Sequence, residues 1–245
     1  SEQEAPKNSD FEVKIAVYAV GVNRADILQR LGKYPVPEGV SPTLGLEVAG
    51  EIVAIGCQVQ GFKKGDRVMA LLAGGGYAQF TVVDYRLLMP IPKHLDYIQA
   101  AGIPEVFLTA YQTLFILGGV RPKEQVLIHA GASGVGTAAI QLAHVWGAQV
   151  SITAGSDEKV RFCEKLGADK AYNYKTQSWS TLVWEDTEGK GIDVILDCVG
   201  GDYVEKNIDC AAFDGRIVLI GFMANARAQE INLAKILQKR LTLKG

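Results

Sequence analysis

A chain of 245 residues, 48% of them apolar, can bury one large core or two moderate ones. Its formal net charge of -2, with no basic block, excludes the electrostatic footprint of a nucleic-acid or anionic-membrane binder. No run of about eighteen apolar residues and no signal-like start is evident, so a soluble, cytoplasmic protein is expected. Its four cysteines are dispersed, which argues against a disulfide scaffold and for buried thiols.

Residues 11–20 alternate like a half-buried strand, and 49–55, 67–71 and 78–83 are further strands. Glycine- and proline-rich turns at 33–41, 56–65 and 74–76 separate them, so residues 1–99 read as a mostly β domain. The weakly charged stretch 100–117 reads as a helix that bridges into a second domain, 100–245, before Gly118-Gly119. No sharp linker divides the two, which points to packed domains with a cleft.

Residues 126–136 are the most informative. A short aliphatic run, a glycine-rich turn and a helix over 135–146 follow without a gap. Glycine lets backbone N–H groups approach a pyrophosphate, and a helix N-terminus adds unpaired donors. Gly131, Ser133, Gly134 and Val135 are therefore candidate cofactor contacts, although the spacing departs from G-x-G-x-x-G. A tight structural turn is the competing explanation of the same glycines.

A second strand, 149–154, ends at Gly155-Ser156-Asp157-Glu158-Lys159, followed by a helix over 158–166. NAD sites usually place an acid at this strand end to hold the ribose 2′-hydroxyl. Gly155, Ser156 and Lys159 suit a 2′-phosphate instead, so NADP(H) is preferred; Asp157 argues the other way, or is a first-turn helix acid. Strands at 170–174, 193–198 and 215–221, with helices at 179–187 and 203–211, complete a doubly wound parallel α/β sheet. Its strand ends converge on one crevice, which adds Gly221 and Phe222 to the candidate contacts. His129 reads as a satisfied core imidazole, and Asp197 and Cys198 as strand-closing groups. His94 and His144 read as peripheral.

Several motifs occur together and in order: Asn23-Arg24-Ala25-Asp26, Gly45-Leu46-Glu47, Gly65-Asp66-Arg67-Val68, the 129–136 run, Asn173-Tyr174-Lys175 and Asp197-Cys198-Val199-Gly200-Gly201. Through them the chain resembles, over nearly its whole length, the zinc-independent quinone oxidoreductases, the zeta-crystallin-like group of medium-chain dehydrogenases/reductases. The resemblance implies a GroES-like β domain plus a Rossmann domain, and places the phosphate of NADP(H) at Gly155, Lys159 and Tyr174. It implies NADPH-dependent reduction of a small quinone or activated enone. It also implies a homodimer paired along the last strand of the nucleotide sheet, which residues 241–243 begin. Members of the group start with another strand before the position of Glu12 and continue past Gly245, so both ends are expected to be incomplete as written.

Zinc-dependent relatives carry a cysteine near the position of Asn23 and a histidine where Leu46 stands. Leucine cannot ligate a metal, and Cys57 has no neighbouring histidine, so no metal is expected. Hydride transfer from nicotinamide C4 to an electron-poor acceptor then needs mainly distance, angle and a hydrogen-bond donor. Asn23 is the candidate for positioning nicotinamide and substrate oxygen, with a loop-capping amide as the alternative. Asp26 and Arg24 read as loop ties. Tyr34, in a turn with Pro35 and Pro37, reads as a substrate-facing ring or donor, or as a surface tyrosine. Gly74–Gly76 leave room for a flat substrate, or form a mobile tip. The rival to an enzyme is a non-catalytic NADP(H)-binding relative with a structural or regulatory role.

Overall fold

Val13 and Ile15 are buried while Glu12, Lys14 and Ala16 are not, and this alternation makes β1 (Glu12–Val20) one side of a packed sheet. The computed structural model describes residues 4–36 and 38–245, and its contacts fall into two units, Ser1–Leu108 and Thr109–Gly245. In the first unit β1 joins β2 (Glu47–Ile55), β3 (Arg67–Leu71), β4 (Phe80–Asp84) and β5 (Leu88–Pro90). Their order is β4-β1-β2-β3-β5, antiparallel throughout. One core holds Val13, Ile15, Val48, Ile52 and Val68. A second cluster, Ala49, Met69 and Ile91, meets Ala100 and Ala101 of α2 (Tyr97–Ala101). A short α1 (Arg24–Arg30) follows β1.

The single bridging helix expected over 100–117 is interrupted. α2 stops at Gly102, and α3 (Pro104–Tyr111) begins on a proline, a residue suited to a first helical turn but not to an interior. The chain then continues as a π-helical stretch, Gln112–Leu117. Because α2 and Glu105 bond to the first unit, the division of contacts falls at Leu108/Thr109, beyond the 99/100 boundary read from the sequence.

The second unit alternates strand and helix: β6 (Gln125–Ile128), α4 (Gly134–Trp146), β7 (Gln149–Ala154), α5 (Asp157–Lys165), β8 (Lys170–Asn173), α6 (Trp179–Asp186), β9 (Ile192–Asp197), α7 (Tyr203–Cys210), β10 (Ala211–Leu219), α8 (Leu233–Lys239) and β11 (Thr242–Lys244). The strand order is β11-β10-β9-β6-β7-β8, and every pairing is parallel. This is the dinucleotide-binding order, whose direction reverses between β6 and β9. Val126, Leu127, Ile152, Val194, Ile195 and Ile217 are all but inaccessible, as a sheet covered on both faces requires. The strand expected to begin at Gly215 starts at Ala211, with an irregularity around Asp214, whose φ is 59°. β11 supplies the sixth strand, pairing Ile217 with Leu243. Lys239 secures α8: its Nζ donates to the carbonyls of Ile208, Asp209 and Ala211 at 2.8–3.0 Å, at the end of α7. Among the described residues no helix is long and apolar enough to cross a membrane.

Candidate functional site

The turn after β6 is steric before it is anything else. A β-carbon on Gly131 would stand 2.7 Å from that of Ile152, and one on Gly136 would stand 2.5 Å from the carbonyl oxygen of Ala130. Ser133 caps α4, its Oγ accepting the Gly136 N–H at 3.0 Å. First-turn N–H groups have no acceptor inside their own helix, so Gly134 and Val135 present donors at the end of the sheet where a phosphate would lie.

The end of β7 is built around an absent side chain. A β-carbon on Gly155 would meet the Tyr174 hydroxyl at 2.7 Å, so glycine and phenol share one corner. Ser156 caps α5 by accepting the Lys159 N–H, and the exposed Lys159 side chain lies on the first turn. Asp157, the residue that argued for NAD, is engaged elsewhere: its Oδ1 accepts from Asn173 Nδ2 at 2.6 Å. Beside this corner is a cavity of about 460 Å³ lined by Thr153, Tyr174, Trp179, Val199, Tyr203 and Lys206, within the size range of small-ligand pockets. Gly221 and Phe222 lie next to the turn after β9, where Met223 and Ala224 donate to the carbonyls of Cys198 and Val199 at 3.0 Å. A β-carbon on Gly221 would find only ordinary contacts, so packing does not demand glycine there.

Under the crevice runs a buried polar chain. His129 Nε2 lies 2.7 Å from Asn207 Oδ1, and Nδ1 lies 2.9 Å from Thr153 Oγ1. Asn207 Nδ2 donates to Asp197 Oδ2 at 2.9 Å, which leaves Asn207 Oδ1 as acceptor and assigns the ring proton to Nε2. Burial pushes the His129 pKa down, opposed by the charge of Asp197 and the Asn207 bond. Asp197 Oδ1 accepts the N–H groups of Val199 and Gly200, so the carboxylate closes β9 as read from the sequence. Burial lifts the Cys198 thiol to about 11, which leaves it protonated and a poor nucleophile at neutral pH. Cys163 and Cys210 are buried, but Cys57 is exposed on a turn, against the expectation of buried thiols.

In the first unit the loop motifs converge on two carboxylates. Asp26, 3% exposed, accepts from Asn23 N at 2.8 Å, Gly45 N at 3.0 Å and the Tyr77 hydroxyl at 3.2 Å. Glu47, 2% exposed, accepts from Asn23 Nδ2 at 2.8 Å and Glu105 N at 2.9 Å. Burial raises the pKa of Glu47, and burial together with the charge of Glu47 raises that of Glu105. Asp26 is thus the loop tie anticipated, whereas Arg24 projects outward as an exposed residue at the start of α1. Tyr34 is exposed, and Pro37 of the same turn lies outside the described residues. β-Carbons on Gly74 and Gly76 would press on the carbonyl oxygens of Ser41 and Gly45 at 2.8 and 2.9 Å, so these glycines pack against a neighbouring loop. Leu46 is buried, and among the described residues no three Cys, His, Asp or Glu side chains gather as a metal site. The sequence motifs contain Glu47 and Asn173 but assign neither a role. Glu47 closes Gly45-Leu46-Glu47, a motif whose sequence signal lies in the histidine that Leu46 replaces.

Two family models match: an alcohol dehydrogenase GroES-like domain over residues 9–93, and a zinc-binding dehydrogenase over 134–245. A phenolphthiocerol synthesis polyketide synthase type I of Mycobacterium marinum is 40% identical over 212 residues, which are 86% of this chain and 10% of that protein. The chain thus spans about a tenth of the length of the curated relatives it matches. Among solved structures, the CurK enoyl reductase is 33% identical with a TM-score of 0.86, over 100% of this chain and 74% of its own. A quinone oxidoreductase of Escherichia coli, complexed with NADPH, is 32% identical with a TM-score of 0.87, over 99% of this chain and 74% of its own.

Proposed function

The chain belongs to the zinc-independent medium-chain dehydrogenases/reductases, the family of the quinone oxidoreductases and enoyl reductases, and from that premise we propose that it uses NADPH to reduce a carbon–carbon double bond conjugated to a carbonyl. The observation that carries the cofactor reading is the corner at the end of β7. Gly155 has no side chain to collide with the Tyr174 hydroxyl, which stands 2.7 Å from where its β-carbon would be, and Asp157 is tied to Asn173. Lys159 supplies the cation for a 2′-phosphate, and the amides of Gly134 and Val135 receive the pyrophosphate.

Bound NADPH supplies a hydride from nicotinamide C4. The donor set that holds zinc in related enzymes is unsuited to a metal here. Leu46 is apolar, and the carboxylates of Asp26 and Glu47 are occupied by N–H and O–H donors. The acceptor must therefore be electron-poor in itself, as an enone, an enoyl thioester or a quinone is. Asn23 is fixed by Glu47 and Asp26, and its second amide hydrogen is the donor we assign to the substrate oxygen or the nicotinamide. Tyr34 is the exposed ring we place against the substrate. Protonation of the resulting enolate falls to solvent.

Similarity to a polyketide synthase and to an enoyl reductase favours an enoyl thioester as acceptor. A second reading, a quinone, is favoured by similarity to the E. coli enzyme. The motifs also resemble those of the animal quinone oxidoreductase induced by a tumour suppressor. A homodimer paired along β11 belongs to the same proposal. NADPH loss followed with a trans-2-enoyl thioester, a 1,2-quinone and an enone tests it. We expect turnover of the thioester, and no oxidation of ethanol with NADP⁺. Tight NADPH binding without turnover of any acceptor would leave a nucleotide-binding protein and overturn the reading.

A further inference from the structure

Asn173 ends β8, and its side chain joins the two sides of the β7 corner. Its amide nitrogen donates to Asp157 Oδ1 at 2.6 Å, and its amide oxygen accepts the Lys175 N–H at 3.1 Å. Its own backbone N–H donates to Gln177 Oε1 at 2.7 Å. The next residue, Tyr174, donates its N–H to the Ala154 carbonyl at 3.0 Å, and this bond brings the phenol over Gly155. Asn173 is 7% exposed while Asp157, Lys175 and Gln177 are exposed, so these bonds are part-buried and are anchored from the Asn173 side.

Asp157 is the first residue of α5, two places beyond Gly155. A carboxylate near this strand end would bind the free ribose hydroxyl of NADH and repel the 2′-phosphate of NADPH. In the structure that carboxylate is tethered to β8 through Asn173. Asparagine alone among side chains of this length can donate to the carboxylate while accepting from the Lys175 amide. Aspartate has no donor when ionised, and serine offers a single atom on a shorter arm.

We infer that Asn173 is a specificity-determining residue: by holding the Asp157 carboxylate against β8, it keeps an acid suited to NADH away from the place of the 2′-phosphate. This rests on the reading of NADP(H) at the end of β7. Asn173 acts through Asp157, so its removal should move the ratio of the two cofactor affinities as well as their size.

Fluorescence titration with NADPH and NADH reads that ratio directly. In Asn173→Ala the preference for NADPH should fall about tenfold, through weaker NADPH binding and unchanged or tighter NADH binding. Adding Asp157→Asn should restore the ratio, because the released side chain no longer carries charge. Equal weakening of both cofactors in Asn173→Ala, or failure of the double variant to restore the ratio, overturns the inference. Asp157→Asn alone leaves the buried residue intact and should shift the ratio by no more than about twofold. A gain in NADPH preference beyond about fivefold would mean that the carboxylate already opposes the phosphate, and would also overturn it. Equal affinities in the unaltered protein would instead remove the NADP(H) reading itself, a result distinct from either.

Discussion

Two lysines of the second unit show how surroundings assign a role to one side chain. Lys239 places its ammonium among three carbonyls and 5.1 Å over the Trp184 ring, and burial lowers its pKa; it holds helices together. Lys159 is exposed on the first turn of α5, next to the Gly155–Tyr174 corner. Replacing Lys159 with alanine should weaken NADPH about ten- to a hundredfold, the loss expected of a charge-assisted contact. NADH should be unaffected, and Tyr174→Phe should give a smaller loss of the same kind, both read by titration. Gly155, Lys159 and Tyr174 can be proposed from the sequence because a strand end in this fold has a fixed duty. Asn173 and Glu47 cannot, because their roles depend on partners sixteen and fifty-eight positions away, at Asp157 and Glu105, which only the tertiary register supplies.

At the level of elements, the junction of α2 and α3 gives a pH-dependent prediction. Glu105 opens α3 with its own N–H donated to Glu47, so two carboxylates meet where burial already disfavours charge. Its folded pKa lies above the ordinary carboxylate value, so the folded state binds the proton more tightly. Stability contributed by the protonated form is therefore present below the unfolded pKa and is lost as pH rises through the folded one. Glu105→Gln should raise the unfolding midpoint near pH 7.5, and that gain should vanish near about pH 4. A gain independent of pH would show that charge is not its cause. The same junction marks the limit of sequence reading. Continuous aliphatic runs gave β6, β7 and β9 almost to the residue, because a doubly covered strand tolerates little else. α1, α2, β5 and α8 escaped because five- to seven-residue helices and a three-residue strand carry too little periodicity. Local bonds define such elements instead, as when Asp96 and Gln99 cap α2 reciprocally and Asn232 caps α8.

For the whole molecule, every residue assigned to the phosphates and the adenosine half of the cofactor lies in Thr109–Gly245, while the carboxylate cluster lies in Ser1–Leu108. Ligand binding stabilises whatever must be folded to bind it, by about 2.7 kcal/mol at a hundred times Kd. All three tryptophans, Trp146, Trp179 and Trp184, belong to the second unit, so their fluorescence reports its unfolding alone. Saturating NADPH should raise that midpoint by roughly 10 °C, NADH should raise it less at equal concentration, and Lys159→Ala should remove most of the difference. A chelator should leave the midpoint and its NADPH shift unchanged, because Asp26 and Glu47 take up their hydrogen bonds from the protein itself. Calorimetry of the same samples then separates two cases. If the units unfold independently, NADPH moves one transition and leaves the other in place. If both move together, the units unfold as one block, and Glu105→Gln, remote in sequence from the cofactor residues, should shift the tryptophan signal as well. A midpoint insensitive to NADPH would place the cofactor residues outside any binding site and defeat the assignment of the second unit.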